Sequence, residues 1–262
     1  MIVKRYLKIW LLLTIKASQI AFSSRLGTSL FLFGKLLRFL LFLGFILLIA
    51  VKTKAIAGYS LWQVVLFFAT FNLIDNVTQF FLREVYRFRA YVVSGDFDYI
   101  LTKPWSPLAK SLFGGSDILD LPMVLLSVVL IFISIIKLEY ITPSGIILYL
   151  LLIICSEIIA LSFHIAVLAI GILTTEVDNT IMLYRDLTSM GRFPVDIYRE
   201  PISWIITFVI PVGIMMTYPA KALMGLLSQT SLIIAVSISF TFLFLSFKFW
   251  RFSLTHYTSA SS

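Results

Sequence analysis

Six polar or ionisable residues interrupt runs that are otherwise apolar: Asn72, Asp75, Asn76, Gln79, Glu157 and His164. The first four are spaced three, four and seven apart, which puts them on one face of a helix. Such a stripe cannot face lipid cheaply, so it faces protein or water. Two roles fit it: hydrogen bonds between packed helices, or the wall of a route for a polar solute. Glu157 and His164 are seven residues apart and again share nearly one face. A buried, hydrogen-bonded Glu–His contact is the plainer reading of that pair. A proton or substrate site is the other.

Chemistry of more familiar kinds has few residues to work with. Neither a G-x-x-x-x-G-K-[ST] phosphate loop, an H-E-x-x-H helix nor a G-x-S-x-G elbow occurs. The chain therefore binds no ATP through a phosphate loop of its own, and it does not read as an enzyme. Cys155 is the one cysteine, and His164 and His256 are far apart, which leaves no disulfide framework and no metal-ligand cluster. Asp117 and Asp120 form a close carboxylate pair without the further groups a catalytic centre needs.

The elements that must position these residues are membrane helices. The 262 residues are 60% hydrophobic and 13% charged, with mean hydropathy +1.01, against roughly 25% charged for a soluble domain. At about 20 residues per crossing, a single membrane domain takes up nearly all of 1–262. The net charge of +8 fits basic loops held on the cytoplasmic side better than nucleic acid. Spans are predicted at about 30–51, 59–82, 118–136, 144–173 and 231–249. Lys35 and Arg38 would snorkel from the first turns of the first span, and Lys52 and Lys54 would cap its far end. Residues 1–29 read as an amphipathic interfacial helix with Trp10 at the membrane boundary. A signal peptide has a similar start, but no convincing small-x-small site follows.

Between spans two and three lies the most charged, turn-rich stretch, 83–116, with Arg83, Arg87, Arg89, Lys103 and Lys110. Gly95 is a helix stop, Asp96 an N-cap for a short helix to Thr102, and Pro104 ends it. Phe97, Tyr99, Ile100 and Leu101 give that helix an apolar surface with no evident intramolecular core, which suggests a protein contact.

Residues 174–228 allow two readings. In one, 176–190 is a polar fifth span and 194–219 a broken hairpin dipping back from outside. In the other, 174–200 is a cytoplasmic loop and 201–217 the fifth span. Hydropathy favours the second; Pro211 and Gly213 in mid-segment suit broken, re-entrant helices. With the N-terminus inside, fourteen Lys/Arg fall on the cytoplasmic side and four outside. That asymmetry places 83–116 and both termini in the cytoplasm.

The chain resembles the ABC-2 type permeases, the branch of about 260 residues once called a domain of unknown function. The resemblance rests on the run Gly95, Asp96, Phe97, Asp98, Tyr99, Ile100, Leu101, Thr102, Lys103, Pro104 and on the segment from Arg192 to Tyr198. Phe208-Val-Ile-Pro211 and Tyr218-Pro-Ala220 follow in order. It implies an all-α polytopic membrane protein of six spans with the type V exporter-like fold. It also implies an amphipathic N-terminal helix, and re-entrant gating helices at 194–219 marked by Pro194, Pro211 and Pro219. The helix at 96–102 would be a coupling helix docking on a separate ATPase, with Gly95, Lys103 and Pro104 bounding it. The assembly would pair two permeases, identical or paralogous, with two ATPase subunits that carry ATP and Mg. It would export an unidentified substrate across a bacterial-type plasma membrane, with no cofactor on this chain. Coupling would pass through the packing of spans one, two and five across the dimer. The other functional class is a stand-alone ion-coupled transporter using Asp75, Glu157 and His164 as a relay.

Overall fold

The computed structural model describes residues 2–53, 57–138 and 140–259. Lys54 and the last three residues of the Ser/Thr tail lie outside them. Among the described residues there is no β-strand, and twelve α-helices follow one another.

The N-terminal helix α1 spans Ile2–Ala21. Tyr6, Trp10, Leu13, Thr14, Ala17 and Ser18 form its inner face at helical spacing. Leu7, Leu11, Leu12 and Ile15 are exposed on the other side. After a break at 22–24 comes α2, Arg25–Thr53. Three more long apolar helices succeed it: α3 (Leu61–Leu82), α7 (Leu121–Leu138) and α8 (Pro143–Thr174). The last helix, α12, is Gln229–Thr255. These five are long and apolar enough to cross a membrane, or six with a bent pair near 202–223. α3 packs along α7, and α12 along α8. Their contact surfaces merge into buried clusters: Leu66, Phe67 and Leu138 at one end, Ile74, Ile159 and Met215 in the middle, and Phe88, Phe97, Leu168 and Trp250 at the other. By contrast, only 11% of the most apolar stretch of α2 is buried.

At the end that carries the basic loop, α3 passes through a tight 3-10 stretch, Arg83–Arg87, into α4 (Phe88–Ser94). Gly95 then takes φ +80°, the left-handed conformation that glycine adopts without steric cost. This turn separates α4 from α5, Asp96–Thr102. Gly95, not Asp96, occupies the N-cap position, and Asp96 is the first helical residue. A third short helix, α6 (Pro107–Phe113), was not legible in the sequence; Ser106 caps it by accepting from Ala109 N at 3.4 Å.

The segment after α8 has no full-length crossing. Helix α9, Val177–Ser189, has 13 residues and rises about 20 Å, short of the ~30 Å of hydrocarbon. It starts at the basic end, where Asp178 pairs with Arg89 at 3.5 Å. At Arg192 the chain has reached only the middle of α3, since the guanidinium lies 5.9 Å from the Phe71 ring. The fifth span expected at 176–190 is therefore a half-crossing. The chain then climbs to the far end, where Asp196 accepts from Tyr59 Oη at 3.0 Å.

There the bent pair begins. α10 (Ile202–Trp204) runs on as a π-helical turn to Val209, and a second π-helical turn, Gly213–Thr217, leads into α11 (Tyr218–Leu223). The two arms meet at 83°, with Pro211 at the tip. Lys221 donates to Asp196 at 2.7 Å, so the segment leaves and returns at one level. Val212 and Met215 pack with Phe71 and Ile159, and Ser156 Oγ donates to Met215 O at 2.6 Å. The tip thus reaches the middle of the bundle. A continuous 201–217 span does not form, because Pro211 lacks an N–H and ends the first arm.

Gly145 is what lets α8 meet the returning arm. A Cβ there would lie 2.9 Å from Leu223 O and 3.4 Å from Ala222 O. The carbonyls are backbone and cannot turn aside. Gly145→Ala is expected to destabilise the fold by about 1–3 kcal/mol, measured as a lower thermal midpoint of the detergent-solubilised protein.

Candidate functional site

Two regions bring together the polar residues of the sequence: a cavity beside α3 and the basic loop.

The cavity lies between α2, α3 and α9. Its larger part, about 410 Å³, is lined by Lys35, Arg38, Asp75, Asn76, Gln79 and Arg185, among others. A smaller, narrower part adjoins it, lined by Phe39, Phe42, Phe71, Asn72, Asp75 and Arg192. The stripe on α3 therefore faces open space. Its amides do not reach other spans: Asn72 Nδ2 donates to Phe68 O at 2.8 Å and Asn76 Nδ2 to Asn72 O at 2.6 Å, both within α3. Gln79 Nε2 donates to Tyr86 Oη at 2.9 Å, and Gln79 Oε1 accepts from Arg83 at 3.2 Å. Asp75 has no hydrogen-bond or ion-pair partner among the described residues, yet it lines the cavity together with Lys35, Arg38, Arg185 and Arg192.

Lys35 was expected to snorkel outward. Instead its ammonium pairs with the buried Asp120 at the start of α7 and sits 4.4 Å from the Phe31 ring. Burial of Asp120 within reach makes that pairing better than a free ammonium at the bilayer edge. Asp117 caps the same turn, accepting from Leu119 N at 3.1 Å, and meets Arg83 at 3.6 Å. The Asp117–Asp120 pair is thus consumed by structure.

Glu157 and His164 do not join the cavity, and they do not bond each other. Glu157 Oε2 accepts from Thr78 Oγ1 at 3.0 Å, tying α8 to α3. His164 Nδ1 pairs with Ala160 O at 2.8 Å, and its ring meets Tyr184 of α9 edge-on at 4.7 Å. Seven helical residues put the two side chains two turns apart along the axis, about 10 Å, too far for a hydrogen bond. Asp75, Glu157 and His164 form no hydrogen-bonded chain among the described residues.

The loop is built around Glu84, which sequence reasoning passed over. This carboxylate is 1% exposed. It accepts from Lys110 Nζ at 2.7 Å, Tyr91 Oη at 2.8 Å and Arg87 Nη1 at 3.1 Å. It thereby ties α4, α6 and the end of α3 together. The signal was present: Glu84 is the one acid between Arg83 and Arg89. Helix α1 closes the loop from the side, where Trp10 Nε1 donates to Ser116 Oγ at 3.0 Å and Tyr6 Oη accepts from Ser106 N at 3.3 Å.

On this frame α5 is not a free apolar helix. Phe97 and Ile100 are buried. The Phe97 ring lies 5.1 Å from Phe88, 5.2 Å from Tyr257 and 6.4 Å from Trp250 of α12. The core that the sequence did not disclose is the far-removed end of α12. Asp98 also points inward, accepting from Tyr257 Oη at 2.9 Å. Burial, then the Asp98 carboxylate, pushes the Tyr257 hydroxyl up to about 12. What α5 leaves exposed is Asp96, Tyr99, Leu101, Thr102, Lys103 and Pro104, next to Val93 of α4. At the opposite end of the bundle, Pro194 and Pro219 are buried at the feet of the bent pair.

Among the described residues no group of His, Cys, Asp and Glu is placed to hold a metal ion. A protein-family model described as ABC-2 family transporter protein matches residues 36–261. No curated protein and no solved structure matches the chain. The match covers most of the sequence, and the chain belongs to the ABC-2 transporter family.

Proposed function

We propose that this ABC-2 family chain is the permease subunit of an ATP-driven exporter, acting with separate ATPase subunits and a second permease copy or paralogue. The observation that carries the reading is the two-sided helix α5. Its inner face, Phe97, Ile100 and Asp98, is fixed to α4 and α12. Its outer face presents Tyr99, 69% exposed, with Leu101 and Lys103. A force applied to that outer face passes through packed rings to α12, which is long enough to cross the membrane, and to α4, which continues α3 into the loop; this is the mechanical property a coupling helix needs. On this reading the route enters through α12 and through α4, which continues span two.

The excess of basic residues at this end favours a cytoplasmic loop and cytoplasmic termini. ATP and Mg would then belong to the partner, where closure of the ATPase pair would push on α5. The uncovered α2 is suited to a second permease, and the bent pair at 194–219 to a gate that re-enters from outside. An ion-coupled transporter working alone is not favoured, because its three relay residues share no direct hydrogen-bonded path among the described residues.

The test is a gentle-detergent purification of the tagged full chain from its own cells. An ATPase should co-purify, together with a second permease. The outcome against the proposal is a chain that purifies alone and, reconstituted alone, moves solute under a proton gradient without ATP. Cysteines placed at Arg192 and Tyr198 give an independent check on topology: an impermeant thiol reagent added outside should label the Tyr198 position, which is half-buried at the far end.

A further inference from the structure

The cavity between α2, α3 and α9 has a charge imbalance that its position makes costly. Two of its cations are neutralised locally, Lys35 by Asp120 and Arg83 by Asp117. Arg38, Arg185 and Arg192 remain, and Asp75 is the carboxylate left to face them. None of the three guanidinium groups has an acid within ion-pair distance among the described residues. Arg192 instead lies over two aromatic rings, 5.5 Å from Phe42 and 5.9 Å from Phe71. Phe71 is halfway along α3, so this charge sits at mid-bundle depth.

An ionised residue at such a depth is retained for a function or a partner. Arg38 of α2 and Arg185 of α9 line the same cavity as Arg192, which ends the 3-10 turn after α9, and the three face one carboxylate, which leaves an uncompensated positive site. Guanidinium groups bind phosphate and carboxylate through paired, charge-assisted N–H donors. The amide side chains of Asn72, Asn76 and Gln79 supply further polar groups. The rim is of the opposite character: Leu30 and Phe31 are exposed along α2. A charged group would enter between the helices while an apolar body lay along α2.

We infer that this cavity binds the anionic group, a phosphate or carboxylate, of the exported substrate. The inference rests on the permease reading for the word exported, but not for the binding itself. Asp75 then tunes the site by offsetting part of its charge.

The test is native mass spectrometry of the full-length chain in detergent, titrated with a mixture of phosphatidylglycerol and phosphatidylcholine or, separately, with inorganic phosphate. The wild type should retain phosphatidylglycerol over phosphatidylcholine if the anion is a lipid headgroup, or phosphate adducts if it is a free solute. Each of Arg38→Gln, Arg185→Gln and Arg192→Gln should weaken the retained species by about tenfold, the effect of losing one charge-assisted contact. Arg192→Lys should lose less. Asp75→Asn should raise retention, a sign that misfolding cannot imitate. Arg199→Gln, far from the cavity, is the control. Equal retention of both lipids with no phosphate adduct, an unchanged preference in all three glutamine variants, or weaker binding in Asp75→Asn overturns the inference. No ATPase is needed for this readout. Lost preference beside an intact ATPase complex therefore removes the ligand assignment alone, and retained preference without an ATPase removes the permease reading alone.

Discussion

Phe97→Ala is expected to lower stability by about 3–5 kcal/mol, while Tyr99→Asp leaves the chain folded and removes ATP-coupled transport. The two residues are neighbours on one seven-residue helix, so the difference lies wholly in the faces they occupy. Phe97 is fully buried among Phe88, Trp250 and Tyr257. Truncating a buried aromatic ring removes its transfer free energy and leaves a cavity, the source of the large figure. Its neighbours belong to α4 and α12, so the void would loosen the attachment of α5 to both. Tyr99 is exposed, and a surface change there alters stability by about 0.5 kcal/mol at most. If its surface meets an ATPase, an aspartate in place of the aromatic ring places a desolvated charge in the contact, and the contact fails.

Two measurements separate these effects. The thermal midpoint of the detergent-solubilised chain should fall for Phe97→Ala and hold for Tyr99→Asp. ATPase turnover of the reconstituted complex should become independent of substrate in Tyr99→Asp. Normal coupled transport in Tyr99→Asp with Leu101→Asp would remove α5 from the coupling role. Charge reversal at Asp98 is a poorer test than it looks from the sequence. Asp98 holds Tyr257, so Asp98→Lys mixes lost anchoring with any effect on a partner. Asp96, which is exposed, is free of that complication.

The difference between Asp96 and Asp98 also shows where sequence reasoning ran out. The long apolar helices were legible because a crossing needs about 20 apolar residues and little else. Gly95 and Pro104 bounded the short helix because each has one dominant backbone consequence. Which face of that helix was covered was not legible, since the cover is Trp250 and Tyr257, more than 150 residues away. Residues 176–190 allow either a polar span or part of a loop, because their period and hydropathy fit neither cleanly; α9 is a half-crossing. Its half-crossing depended on Arg192 finding Phe71, again a long-range contact. The stripe Asn72, Asp75, Asn76 and Gln79 was placed on its correct face by period alone. Its cationic complement, Arg185 and Arg192, lies on a segment whose path no periodicity could trace.

Glu84→Ala should cost about 3–5 kcal/mol, as much as Phe97→Ala. Its carboxylate is buried with donors from Lys110, Tyr91 and Arg87 around it. Removing one member of a buried pair strands the other, which costs more than the pair itself contributes. Arg87 is 53% exposed and recovers its hydration cheaply, whereas Lys110 is 21% exposed and does not. The loss therefore centres on α6. A methyl group at position 114 should disturb the same pair more mildly, because a Cβ on Gly114 would lie 2.4 Å from Lys110 Nζ and 2.5 Å from Glu84 Oε1, and these side-chain ends can shift. Replacing both partners distinguishes a buried charge from simple lost packing: Glu84→Met with Lys110→Met should recover most of the stability that Glu84→Ala loses. The readout is limited proteolysis. Detachment of α6 frees the connection at 103–106, so chymotrypsin should cut after Trp105 in Glu84→Ala far faster than in the wild type or the double variant. Equal cutting in all three would mean that the loop is held by its apolar contacts, with Phe97 and Trp250 rather than Glu84 fixing α5 to the membrane helices.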